Sequence, residues 1–155
     1  HTIRGCTGLS DDRIRRLYTT YFKDVKGTPV RRQRGKSPTR ISIFMRNLET
    51  QRQSATLASL LVQFGLLPRY SVHAPLMATR GIAYGTRFCR AYSMYVAICE
   101  KPEFCFERAW SLCDALQNGE ELVVHSCSEC GGLFVHDALS LKSLVCPCCQ
   151  NKRLP

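Results

Sequence analysis

The chain has 155 residues, 45% of them hydrophobic, with 22 Lys and Arg against 12 Asp and Glu, a formal charge of +10. That length builds one domain, or one domain with a small appended module, and no apolar run approaches the roughly eighteen residues of a membrane-spanning helix. The charge is lopsided: residues 1–40 hold eleven basic side chains against Asp11, Asp12 and Asp24, net +8, whereas residues 41–155 are net +2.

In chain order, Leu9-Ser10-Asp11-Asp12 opens a helix. Ser10 can cap it, the aspartates favour its positive end, and Ile14, Leu17, Tyr18 and Phe22 recur at helical spacing as the face expected to be buried. Arg13, Arg15 and Arg16 fall largely off that face. An arginine-rich second helix after a short turn resembles part of a helix-turn-helix, with the first helix expected before His1 or within the first six residues. Residues 26–40 read as a basic linker, because Gly27, Pro29, Gly35 and Pro38 break any periodicity. With Arg31, Arg32, Arg34 and Lys36 it makes the N-terminal quarter a candidate for phosphate contacts, hence double-stranded DNA. The linker has almost no apolar residue to insert into a membrane surface. Gly35-Lys36-Ser37 is not a phosphate-binding loop, since Val30 stands where the first glycine belongs.

Ile41 to Phe64 shows a helical apolar period, stopped by Gly65 and Pro68. A second core helix is expected over about 83–99, with Ala91, Met94, Tyr95 and Ile98 inward. A third is expected to begin at Pro102 and end near Gly119, with Trp110, Cys113 and Leu116 inside. Cys89, Cys99, Cys105 and Cys113 are expected to be small buried hydrophobes. Glu121–Val124 and Leu133–Val135 read as short strands, with Leu144-Val145 leading to a further turn. The fold class is thus mainly α: a helical domain over 1–119 and a zinc-ribbon-like module over 120–155.

That module carries the strongest chemical signal. Cys127-Ser-Glu-Cys130-Gly131-Gly132 is followed by Cys146-Pro147-Cys148-Cys149, with fifteen residues between Cys130 and Cys146. Two C-x-x-C pairs so separated have the pattern of a four-cysteine structural zinc site. Cys127, Cys130, Cys146 and Cys149 are the expected ligands of one Zn²⁺, with Cys148 an alternative to Cys149. His125 and His136 are expected to flank the site. No cationic segment followed by an apolar stretch opens the chain, so a reduced, cytoplasmic setting is expected over a disulfide framework. No general acid or base accompanies the thiols, and no enzyme activity is expected.

Several strings in series then resemble a family. Leu9-Ser10 with Arg13-Ile14-Arg15-Arg16-Leu17-Tyr18, Phe44-Met45, Arg90-Ala91-Tyr92-x-x-Tyr95 before Cys99, Arg108-Ala109-Trp110-Ser111-Leu112, and Cys127-x-x-Cys130-Gly131-Gly132-x-Phe134 closing on Cys146-x-x-Cys149 are similar in order and spacing to the bacterial flagellar master activator FlhC. The likeness extends over nearly the whole chain. It implies a helical subunit with a four-cysteine zinc site that joins an FlhD-like partner, binds promoter DNA and recruits RNA polymerase. The linker departs from the family's Pro-Pro-Lys-Gly-like stretch, marking a divergent member, and FlhC-like activators of conjugative elements fit equally well. A zinc-ribbon RNA-binding protein is the alternative; it would need exposed aromatics beside the cationic segment, whereas Tyr18, Tyr21 and Phe22 are expected on a buried face.

Overall fold

The computed structural model describes residues 2–23, 41–68, 80–141 and 144–152. It is mainly helical: α1 (Thr2–Thr7), α2 (Asp11–Tyr21), a 3-10 turn (Ile41–Met45), α3 (Leu48–Gln63), α4 (Ile82–Ile98), α5 (Phe106–Asn118), a two-stranded ribbon of β1 (Leu122–Ser126) and β2 (Leu133–Asp137), and α6 (Pro147–Lys152). No helix among the described residues is long and apolar enough to cross a membrane.

The apolar period over 41–64 is split between two elements. Asn47 interrupts it by capping α3: its side chain accepts from the Thr50 N–H at 2.8 Å, and the Thr50 hydroxyl accepts from the Asn47 N–H at 3.0 Å. This reciprocal pair satisfies two amides that would otherwise be orphaned at the helix start. Ile41–Met45 is left as a 3-10 turn, held to α3 by the Ser54 hydroxyl donating to the Phe44 carbonyl at 2.9 Å.

The inward face of α4 is Tyr84, Phe88, Ala91 and Tyr95, one residue per turn. Met94 and Ile98, expected inside, are 46% and 57% exposed. They lie about 100° and 60° round the helix from that stripe, and the aromatic period outcompetes them. α5 starts at Phe106, not Pro102. Residues ahead of it are held extended by tertiary bonds: the Glu103 N–H donates to Gln53 Oε1 at 2.9 Å and the Phe104 N–H to the Tyr95 hydroxyl at 3.2 Å. These bonds tie residues 103 and 104 to α3 and α4, and the chain enters the helix only after Cys105. Trp110, Cys113 and Leu116 are buried as expected.

Crossed aromatic pairs fill the space between these helices, with Phe88 edge-on to both Phe106 and Trp110 at 5.2 Å between centroids. Edge-to-face packing places the positive ring edge on the negative ring face, which contributes beyond area burial. The ribbon packs on α3 and places Leu122 and Val135 in the same core. The four-cysteine end of the chain is therefore mounted on the helical core, and its position is set by strands that share that core.

Candidate metal centre

The register pairs Leu122 with Asp137 and Ser126 with Leu133, so the ribbon ends where Cys127 begins. The Cys127 N–H donates to the Gly132 carbonyl at 2.9 Å and the Gly131 N–H to the Cys127 carbonyl at 2.9 Å, closing a tight knuckle. Gly131 takes φ +69°, the left-handed conformation that glycine adopts without a Cβ penalty. A Ser128 N–H bond to the Leu144 carbonyl at 2.9 Å then draws the second cysteine segment alongside.

Cys146 stands immediately ahead of α6, its carbonyl accepting from the Gln150 N–H at 3.0 Å and its Sγ from the Cys149 N–H at 3.4 Å. Cys149 is three residues on, where a side chain in the first helical turn faces back toward the cap. Cys148, one position earlier, is exposed and stands outside the cluster. Helical geometry thus brings Cys149 to the other sulfurs.

The ligand atoms of Cys127, Cys130, Cys146 and Cys149 all lie within 4.8 Å of one another. The Cys130 and Cys146 sulfurs are 3.8 Å apart. A tetrahedron with metal–thiolate bonds of roughly 2.3 Å has sulfur–sulfur edges of about 3.8 Å, so the four residues fit a single metal ion. Cys127 Sγ accepts from the Cys146 N–H at 3.2 Å and from the Glu129 N–H at 3.4 Å. Amide donors, those of Cys146 and Cys130 foremost, pull the Cys127 thiol down to about 6. Burial pushes Cys146 up, and hydrogen bonding to Cys146 and Cys130 holds Cys149 up at about 12. The amide donors thus favour a thiolate at Cys127, and a cation at the centre would draw Cys146 and Cys149 down as well. Phe134 and Val145 shelter the cluster, with Ala55 of α3 against it.

His125 and His136 lie across the ribbon with rings 5.7 Å apart, outside the sulfur cluster. Burial and then the His136 ring lower the pKa of His125. Among the remaining cysteines, Cys6 and Cys113 are buried, Cys99 is half-buried, and Cys89 and Cys105 are exposed, so the expectation of buried small hydrophobes holds for Cys113 and fails for Cys89 and Cys105. Cys89 sits on the outer side of α4, and Cys105 lies in the extended lead to α5, donating to Glu107 at 3.6 Å.

The basic candidates divide. Arg13, Arg15 and Arg16 are exposed on α2, where Ser10 accepts from the Arg13 N–H at 3.3 Å and Arg15 pairs with Asp12 at 3.2 Å. Arg31, Arg32, Arg34 and Lys36 lie outside the described residues. α1 and α2 have the order of a helix-turn-helix, but α2 buries no residue. Leu17, Tyr18, Tyr21 and Phe22 are 36%, 42%, 64% and 50% exposed, which corrects the expected buried face. α1 does not cover them: of its six residues Cys6 is turned into the core, and Ile3 is itself 54% exposed. α6 was not legible as a helix, because Pro-Cys-Cys-Gln-Asn-Lys has no apolar period. Its one local signal is Pro147 at the first helical position.

Comparison of the sequence with protein-family models and with curated proteins gives no match.

Proposed function

We propose that this chain is a cytoplasmic, FlhC-like transcription activator subunit that binds promoter DNA together with an FlhD-like helical partner and recruits RNA polymerase. The observation that carries the reading is the four-sulfur cluster, built by a knuckle and a helix start on a mainly helical core. An all-thiolate tetrahedral set with no oxygen ligand suits zinc. Bound zinc would supply structural cross-linking, tying the 127–132 knuckle to α6. The chain's own residues do the rest: Arg13, Arg15 and Arg16 are exposed for phosphate contact, and the basic linker adds Arg31, Arg32, Arg34 and Lys36.

The test is co-expression with the product of the neighbouring gene, elemental analysis, and footprinting on adjacent promoters. One zinc per chain and a protected promoter site are expected. Protection of flagellar or of conjugative-transfer promoters separates the two target classes. Metal-free protein under reducing conditions, or no protection at any promoter, overturns the reading. The RNA-binding alternative draws support from the exposure of Tyr18, Tyr21 and Phe22 beside the arginines, the feature it required.

A further inference from the structure

α2 is an amphipathic helix turned the wrong way for a core element. Ile14, Leu17, Tyr18, Tyr21 and Phe22 share one side at i, i+3, i+4, i+7 and i+8, yet none is buried. Tyr18 and Phe22 stack with centroids 6.3 Å apart and planes 19° from parallel. Arg13 stands one turn before Leu17, and Arg15 one turn before Tyr18, so cations border the stripe on both sides. Asp11 and Asp12 sit at the far end of the helix, paired with Arg4 at 3.6 Å and Arg15 at 3.2 Å. Residues 13–23 carry four basic side chains and no acidic one.

Exposed rings bordered by guanidinium groups match one chemistry in particular. A nucleic-acid strand offers phosphates at intervals and, where it is unpaired, flat base faces between them. Fully paired DNA offers the phosphates but keeps its base faces stacked, so it would leave these rings without a partner surface. We propose that α2 is a stacking surface for unpaired bases of DNA, with Tyr21 and Phe22 against the bases and Arg13 and Arg15 on the adjoining phosphates. The inference rests on the promoter-binding reading and adds to it that the bound site is locally opened, or is captured in an opened state.

The experiment uses the zinc-loaded full chain in complex with its partner and three fluorescein-labelled probes: a twenty-nucleotide oligo-dT, a matched duplex, and that duplex with a central three-base bubble containing 2-aminopurine. Anisotropy at several salt concentrations gives affinities and salt slopes. Bubble and single strand are expected to bind at least ten-fold tighter than the matched duplex, with quenching of 2-aminopurine as its ring stacks. Tyr21→Ala and Phe22→Ala are each expected to weaken bubble binding about five-fold or more at unchanged salt slope, whereas Arg13→Ala and Arg15→Ala flatten the slope. All four positions are exposed, and circular dichroism with zinc content verifies that the variants fold. If duplex binding persists with a normal salt slope but the aromatic variants behave as wild type on every probe, the stacking inference falls and the promoter-binding reading stands. If no DNA probe binds, both fall. Tighter binding to oligo-rU than to oligo-dT transfers the surface to RNA, and loss of the protein partner or of anionic-vesicle binding in the aromatic variants at unchanged DNA affinity assigns it to a protein or a membrane surface; each overturns the proposal.

Discussion

Single residues at the four-cysteine cluster differ sharply in what they are asked to do. Cys149 sits in the first turn of α6 with its amide on the Cys146 sulfur, whereas Cys148 is exposed. Cys149→Ser is therefore expected to release the metal and Cys148→Ser to retain it, read as metal content after gel filtration. The reverse result would reassign the fourth ligand to Cys148. Glycine positions show a comparable contrast. Gly8 has φ +69°, and a Cβ there would lie 2.7 Å from the Arg80 carbonyl oxygen; Gly131 has the same φ with nothing within 4 Å. Gly131→Ala is expected to cost only the left-handed conformation, about 1–2 kcal/mol. Gly8→Ala adds a backbone clash that no rotamer can relieve, so its loss in urea denaturation is expected to be larger. Equal losses would show that α1 gives way without strain at the turn.

At the scale of elements, the helices are held by buried groups that stay neutral. Burial, with the neighbouring Cys89 and Cys113 thiols, pushes Cys6 on α1 up to about 12. Burial likewise pushes Cys113 on α5 up to about 12, and it raises the Tyr84 phenol of α4, whose hydroxyl lies 3.4 Å from the Cys113 sulfur. In the unfolded chain these thiols ionise near 9.0, so above that pH the unfolded state sheds protons that the folded state keeps. Stability contributed by the neutral thiols is then full below about pH 9 and declines as pH rises toward the folded values. The melting temperature is expected to fall between pH 8 and 11, and Cys113→Ala to flatten that fall even though it lowers stability at pH 7. A parallel curve for the variant would remove Cys113 from the account. The same elements show what the sequence made legible. Strong local chemistry survived translation into structure: the Ser10 cap, the end of α5 at Gly119, the two strands and the four-cysteine pattern are where spacing and turn residues put them. Boundaries set by distant partners were not legible. Nothing near Pro102 in the sequence says that Gln53, some fifty residues earlier, will take the Glu103 amide. Likewise, periodicity on α2 identified an apolar stripe but not whether anything in the chain would cover it.

Across the whole molecule, exposed large apolar side chains lie at several places among the described residues, Leu139 and Leu141 beyond β2 included, and two of those places group several such residues on one helix. One is the α2 stripe. The other is α4, where Met94 and Ile98, on one flank of the buried Tyr84, Phe88, Ala91 and Tyr95 stripe, are 46% and 57% exposed. Exposed apolar area on this scale, carried by a regular helix, is a common mark of an association surface. Two separate functions follow for two separate parts of the chain. The ribbon is secured by Leu122 and Val135 in the helical core, so stripping the metal with a chelator is expected to remove amide-exchange protection from 127–132 and 144–152 while α3, α4 and α5 keep theirs. Global loss of protection would show instead that the centre nucleates the whole fold. The α4 surface is independent of the metal and sets a different expectation. Purified alone, the chain is expected to self-associate in light scattering in a concentration-dependent way; with an FlhD-like helical partner it is expected to form a complex of defined mass. Met94→Glu with Ile98→Glu places charge on that surface at positions that contribute nothing to the core, and is expected to keep the lone chain monomeric, zinc-loaded and folded while abolishing partner capture and promoter protection together. A monomeric wild-type chain that protects the same promoter unaided would show that α4 covers no partner and that the activator reading, in its hetero-oligomeric form, is wrong.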